Sequence, residues 1–378
     1  MTEQLSYDVS IVGGGLAGLA CAILLAKENQ NVILFEKEEY PFHKVCGEYI
    51  SLESYDFLKS LGVQLNEIQV PVIKDILLSS PSGNSLYHKL PLGGFGISRY
   101  VLDHALMKVA EDAGVSIMQR TRVTNVIRTN NEFEIDTDSH IYHSKLVCAA
   151  YGKKSNLDVK WKRPFTIKKH SALNNYIGVK YHAMLNRRID LIELHNFKDG
   201  YCGISPVEGE RSCICYLTTA HNLRRNNNDI RTMEKNVLYK NPFLKKCFIE
   251  AQHLYPKPLV ISQVSFDRKS QFENGVLFLG DSATMIAPLS GNGMSMALYS
   301  SRIAAACMKE FLQGNISLEA MGNKYTGLWK SAFSRRLSAG RIIQQVFGRE
   351  WLSNSVINIL KTFPGLISPV IRQTHGRL

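Results

Sequence analysis

The chain has 378 residues, 45% of them hydrophobic and 21% charged, with a formal net charge of +12. That composition excludes a disordered or low-complexity chain, and the length predicts one large or two intimate domains. No apolar run reaches the roughly 18 residues of a membrane-spanning helix, and the lysines and arginines are scattered without interleaved aromatic platforms, which argues against nucleic acid as a partner.

A solvated basic surface is the first reading of the charge, with anionic substrates or membrane surfaces second. The eight cysteines show neither Cys-x-x-Cys pairing nor zinc spacing, so no metal is expected. The N-terminus is polar and enters a strand at once, with no signal peptide. The expectation is a cytoplasmic chain with reduced thiols.

Tyr7 to Glu36 organises the rest. A β-branched run, Asp8 to Val12, meets Gly13-Gly14-Gly15-Leu16-Ala17-Gly18, which fits G-x-G-x-x-G. An alanine- and leucine-rich helical stretch follows, and a second apolar run, Val32 to Phe35, ends in Glu36. This is the strand–turn–helix–strand unit that binds a dinucleotide. Gly13 permits the tight turn, Gly15 lets the backbone approach a pyrophosphate, and Gly18 lets the helix pack close to the strand. The helix N-terminus then faces the phosphates. Glu36 stands where a carboxylate bonds a ribose hydroxyl, and Lys37 follows it.

Glu38 to Ser51 is a polar loop, broken at Tyr40-Pro41 and carrying Lys44 and Cys46-Gly47. A loop straight after the ribose acid passes over the dinucleotide, which places Lys44 and Cys46 near its far end; a plain loop holding a packing cysteine is the alternative. Leu52 to Leu61 is a predicted helix. Val72 to Leu86 alternates around Pro81-Ser82-Gly83-Asn84, a hairpin signal. A glycine run, Gly93 to Gly96, precedes Arg99 and a predicted helix, Tyr100 to Ala113. Arg99 at that point either clamps a phosphate or is a surface charge.

Val115–Met118, Val123–Arg128, Phe133–Asp136 and Leu146–Ala150 are predicted strands, the last ending in the turn Tyr151-Gly152. Between Ile177 and Thr219 the pattern changes to long alternating strands, an inserted and mostly antiparallel sheet suited to a substrate platform. Val276 to Asp281 is an apolar strand delivering an aspartate, followed by Pro288-Leu289-Ser290-Gly291-Asn292-Gly293 and a helix, Met294 to Phe311. This offers a second helix N-terminus for an anionic or electron-rich group. The tail from Trp329 mixes basic and apolar residues. It is expected to pack on the body, with a peripheral contact to the inner face of a membrane as the other reading.

Together these residues resemble the flavoprotein monooxygenase superfamily of the para-hydroxybenzoate hydroxylase type. Within it, Pro41-Phe42-His43-Lys44-Val45-Cys46-Gly47 resembles the P-x-x-x-x-C-G-G loop of the geranylgeranyl reductase family, with Glu48 in place of the second glycine. The resemblance implies an α/β, Rossmann-like FAD-binding domain (1–70, 95–160 and 262–315), a substrate-binding β-sheet domain (71–94 and 161–261) and a helical C-terminal region (316–378). It implies that Gly13, Gly15, Leu16, Ala17 and Gly18 cradle the FAD pyrophosphate and that Glu36 and Lys37 serve the adenosine ribose. Arg99 would meet the phosphate or ribityl region, Lys44 would be a further cofactor contact, Val123 would meet the adenine through its backbone, and Asp281 the ribityl chain and pyrophosphate. Pro288, Gly291, Asn292 and Gly293 would lie against the isoalloxazine. Cys46, near the flavin, Glu48 and Tyr49 are the candidate catalytic residues.

Two departures leave the reaction open. The family's Y-x-W-x-F-P is here Tyr201-Cys202-Gly203-Ile204-Ser205-Pro206, and the hydroxylases' Asp-Gly pair is Tyr151-Gly152. The first reading is FAD-dependent reduction or dehydrogenation of carbon–carbon double bonds in a prenyl, lipid-like or polyketide substrate. The second is a monooxygenase acting on an aromatic or polyketide-like substrate. A halogenase and a non-catalytic flavoprotein follow. No second G-x-G-x-x-G is present, so NAD(P)H would bind transiently or a reduced partner would supply electrons.

Overall fold

The computed structural model describes residues 6–129, 132–167, 175–264, 266–285, 292–346 and 350–374. Two sheets organise them. The first is eight-stranded and is built from β1 (Ser6–Val12), β2 (Val32–Phe35), β6 (Ser116–Met118), β7 (Val123–Arg128), β8 (Phe133–Thr137), β9 (Ile141–Ala149), β16 (Phe272–Glu273) and β17 (Val276–Phe278). The second is nine-stranded and contains β3 (Tyr49–Ser51), β4 (Val72–Ser79), β5 (Ser85–Gly96), β10 (Tyr176–Met184), β11 (Leu191–Phe197), β12 (Gly200–Val207), β13 (Arg211–Thr219), β14 (Gln252–His253) and β15 (Leu259–Val264).

In the first sheet β17, β9, β1, β2 and β6 lie side by side and parallel. The order follows from the sequence. Val9, Ile11, Val32, Ile33 and Leu34 are fully buried, as strands covered on both faces require. Helix α1 (Leu16–Ala26) is buried along almost its whole length, because it packs on the sheet and against a second helix, α3 (Gly293–Leu312). Replacing Leu19 or Ile23 by alanine is expected to cost about 2–5 kcal/mol.

The second sheet is mostly antiparallel, with β11 and β4 as its parallel pair. The hairpin and the alternating strands expected from the sequence therefore join in one sheet. The run Gly93 to Gly96 is the end of a twelve-residue strand. Glycine is required there by close approach: a Cβ on Gly96 would lie 1.7 Å from the Pro206 carbonyl oxygen. Helix α2 (Arg99–Asp112) follows, capped by the Ser98 hydroxyl, so Arg99 opens the helix. The strand before Asp281 stops at Phe278, and Gly280–Ser282 forms a single 3₁₀ turn. The sequence missed the helix Pro242–Glu250, although Asn241 caps it and proline stands at its first position.

The C-terminal region is helical: α4 (Leu318–Val346), α5 (Glu350–Thr362) and α6 (Ile367–Thr374). A buried two-pronged pair fixes α4 to the body, with Arg336 donating to the two Glu53 carboxylate oxygens at 3.0 and 3.1 Å. Ile357 and Ile367 form a small core with Leu86 on β5, so α5 and α6 lie on the second sheet. No helix among the described residues is long and apolar enough to cross a membrane.

Candidate active site

The turn after β1 has the geometry its glycines require. Gly13 has φ +109°, and a Cβ on it would lie 2.6 Å from the Ala150 carbonyl oxygen. On Gly18 a Cβ would lie 2.0 Å from the Gly13 oxygen, so that residue sets the closeness of α1 to β1. Gly15 differs. Nothing crowds it; the nearest atoms to a Cβ there would be Arg99 Nη2 at 3.6 Å and Lys44 Nζ at 3.8 Å. The open backbone at the head of α1 is thus flanked by two cations, which is the environment an anionic group needs.

Those cations are held by Asp103, which the sequence reading missed. Arg99 donates to its two oxygens at 2.7 and 2.8 Å, and Lys44 donates at 2.9 Å. Burial pushes the Asp103 carboxyl up, but Arg99 and Lys44 outweigh it and hold it below its ordinary value. Two cations against one carboxylate leave a net positive charge beside Gly15. The available signal was the i,i+4 spacing from Arg99 on α2.

Glu36 is buried and accepts from the Gly14 N–H at 3.0 Å and the Glu38 N–H at 3.1 Å. The Thr121 N–H reaches the Glu36 carbonyl at 2.9 Å, which brings Val123, at the start of β7, to the same end of the site. Lys37 is exposed and pairs with Glu38 at 3.7 Å. Tyr40 also escaped the sequence reading; its hydroxyl donates to the Gly14 carbonyl.

Cys46, Gly47 and Glu48 lie over the second sheet. Cys46 is partly exposed, with its sulfur 3.6 Å from Met294 Sδ on α3. Glu48 is fully buried. It accepts from the Arg99 N–H at 2.7 Å, from Lys180 Nζ, and shares a 2.6 Å hydrogen bond with His182 Nε2. Burial raises its carboxyl, yet Lys180 and His182 prevail and hold it below the usual range. Glu48, His182 and Cys213 bring donor atoms within 4.8 Å of one another. Lys180 supplies positive charge there, and Glu48 is fully engaged with its three partners, as in a buried ion-pair network. Tyr49, on β3, is buried.

A single cavity of about 1300 Å³ joins these parts. Gly13, Gly15, Leu16, Ala17, Glu36 and Lys37 line one end; Lys44, Cys46, Glu48, Tyr49, Arg99, Val123, Asp281 and Gly293 also face it. The far end is apolar, with Ile76, Leu78, Ile192 and Leu194 on the second sheet and Ile357 and Leu360 on α5. Pockets for one ligand typically span about 300–1,000 Å³. This one has room for two. Pro288 and Gly291 lie outside the described residues. Asn292, at the N-terminus of α3, is fully buried, and neither polar atom of its amide has a partner among the described residues.

An open glycine turn flanked by cations, a buried ribose-type carboxylate and an orphaned buried amide at a helix N-terminus together fit FAD. Gly15, Arg99 and Lys44 would hold its pyrophosphate and Glu36 its ribose. When bound, FAD supplies hydride transfer.

Comparison with known proteins agrees. The chain is 24% identical over 368 residues to conditioned medium factor receptor 1 of Dictyostelium discoideum, covering 89% of this chain and 70% of that protein. It is 26% identical over 355 residues to a digeranylgeranylglycerophospholipid reductase of Thermoplasma acidophilum, covering 88% and 85%. A flavin-dependent brominase shares the fold, with a TM-score of 0.80 at 19% identity over 98% of this chain and 94% of that one. Residues 6–321 match the family described as FAD binding domain. The chain belongs to that family and is an FAD-dependent oxidoreductase with the fold of the para-hydroxybenzoate hydroxylase type.

Proposed function

We propose that the chain uses FAD to reduce, or in reverse to dehydrogenate, carbon–carbon double bonds of a prenyl or other lipid-like substrate. The observation that carries this reading is the apolar end of the cavity, continuous with the cofactor end and closed by α5. Two residues enlarge it. Gly203 and Ser205 stand where the family motif has Trp and Phe, and both face the cavity from β12. A Cβ on Gly203 would meet only Leu194 Cδ2 at 3.4 Å and Cys215 O at 3.8 Å, so the space beyond is open to substrate. The similarity to a reductase of unsaturated isoprenoid lipids supports the same choice.

In this reading Gly13, Gly15 to Gly18, Glu36, Lys37, Lys44, Arg99, Val123, Asp281, Pro288 and Gly291 to Gly293 bind the cofactor. Cys46, Glu48 and Tyr49 form the wall between cofactor and substrate. The first sheet with α1 to α3 is the FAD-binding domain and the second the substrate platform. NAD(P)H in transient contact, or a reduced partner, supplies electrons. Two large apolar side chains on α5, Trp351 and Ile359, and Phe363 just beyond its end are 68%, 51% and 60% exposed among polar neighbours such as Lys361. With a net charge of +12, exposed apolar side chains mixed with a lysine suit contact with an anionic bilayer from which a lipid substrate enters.

The test uses FAD-loaded protein, reduced with dithionite under anaerobic conditions and given digeranylgeranylglycerophospholipid in detergent. The expected product is heavier by pairs of hydrogen atoms. No product without oxygen, and an oxygenated one in air, would overturn the reading.

A further inference from the structure

The Cys46 loop is gripped from below at three backbone carbonyls. Lys180 Nζ donates to the Lys44 carbonyl at 3.1 Å, Cys213 Sγ lies 3.3 Å from the Cys46 carbonyl oxygen, and the Ser205 hydroxyl donates to the Gly47 carbonyl at 2.7 Å. These three side chains stand on β10, β13 and β12 of one sheet. At Glu48 the backbone has φ +55°, the left-handed region that glycine enters freely and a longer side chain enters at a cost of roughly 1–2 kcal/mol. A glutamate therefore occupies a glycine-type position. Its fully buried carboxylate offsets that cost by binding Lys180, His182 and the Arg99 N–H.

The Arg99 contact carries the clamp further. That N–H opens α2, and the Arg99 side chain, with Lys44, flanks Gly15. One carboxylate thus joins the loop that walls the substrate cavity, the sheet beneath it and the helix that presents cations to the cofactor cradle.

We propose that Glu48, Lys180 and His182 are positioning residues that clamp the Cys46 loop, so that Cys46 is a fixed wall of the cavity rather than a movable flap. Lys180 and His182 sit below the loop and are absent from the lining of the main cavity; they act through Glu48. The clamp rests on the proposed function only for its effect on turnover.

The test is the rate at which iodoacetamide modifies Cys46 in the FAD-loaded protein, read by peptide mass spectrometry. This readout needs no substrate, so the clamp can fail while the reductase reading stands, and the reverse. Glu48→Gly removes the acceptor and relieves the backbone, and Cys46 modification is expected to accelerate by about tenfold or more, the size that losing a buried acceptor implies. Glu48→Gln keeps an acceptor for Lys180 and Arg99 and is expected to restore a rate within about threefold of the parent. If Glu48→Gly leaves the buried Lys180 ammonium without its acceptor and prevents folding, Glu48→Gly combined with Lys180→Met removes that charge and is expected to show the same acceleration. With a lipid substrate, kcat falls more than KM rises in Glu48→Gly, and Glu48→Gln recovers kcat. A Cys46 rate unchanged from the parent in whichever glycine variant folds would overturn the proposal.

Discussion

Arg99 and Asp103, one helical turn apart, form a buried two-pronged ion pair, with Nε–Oδ1 at 2.7 Å and Nη2–Oδ2 at 2.8 Å. Asp103 also holds Lys44. One carboxylate thereby aims both cations at the open backbone of Gly15. Asp103→Ala leaves two cations without their partner. It is expected to lower stability by about 3–5 kcal/mol, as breaking a buried pair does, and to weaken FAD binding. Chemical denaturation and flavin release measure the two effects separately. A variant with unchanged stability and flavin content would show that Asp103 positions neither cation.

The glycines of the turn are expected to separate by what surrounds them. Gly18→Val drives a side chain into the Gly13 carbonyl and should prevent folding of the turn. Gly15→Val meets only the ends of two flexible side chains. It should fold with the parent's thermal stability in the absence of FAD and retain no flavin. A yellow Gly15→Val protein at full occupancy would contradict the cofactor assignment.

Gly203→Trp tests the apolar end. The backbone accepts a Cβ there, and the indole extends into the cavity. FAD content and its visible spectrum should stay as in the parent while KM for a long prenyl lipid rises at least about tenfold, equivalent to about 1.4 kcal/mol of lost binding. An unchanged KM would place the substrate elsewhere.

Stability should fall in acid in two stages. Burial pushes the His43 imidazole down from 6.5 to about 4, and burial also lowers His104 and His253. The unfolded chain therefore binds protons first, and stability declines as pH falls from 6.5 toward 4. Glu48, Asp103 and Glu193 are all held below their ordinary values by buried cations or histidine partners. Their contribution is present above about 4.5 and is lost as pH falls further, through the folded values. Melting temperature should decline gently below pH 6.5 and drop steeply below 4.5. A melting temperature that rises on acidification would contradict these assignments.

The sequence revealed the cofactor end because its signals are local. Strand, glycine turn, helix and acid follow one another from Tyr7 to Glu36, and their order within thirty residues carries the signal. The second sheet was legible as alternating strands, but Gly93 to Gly96 carried no local mark of a strand, because glycine marks both turns and close strand contacts. Only the approach of Pro206, over a hundred positions later, distinguishes them. The clamp at Glu48 was hidden for the same reason. Lys180 and His182 lie 132 and 134 residues away in the chain, and a lysine and a histidine on an alternating strand carry no local mark of their partner.

The measurement that tests the account most directly is a single turnover without oxygen. FAD-loaded protein, reduced anaerobically and freed of excess reductant, is mixed with the unsaturated prenyl lipid in a stopped-flow spectrometer. The account predicts that the oxidised-flavin absorbance returns on mixing, in proportion to the double bonds reduced. A flavin that stays reduced with lipid and reoxidises only when air is admitted would contradict it.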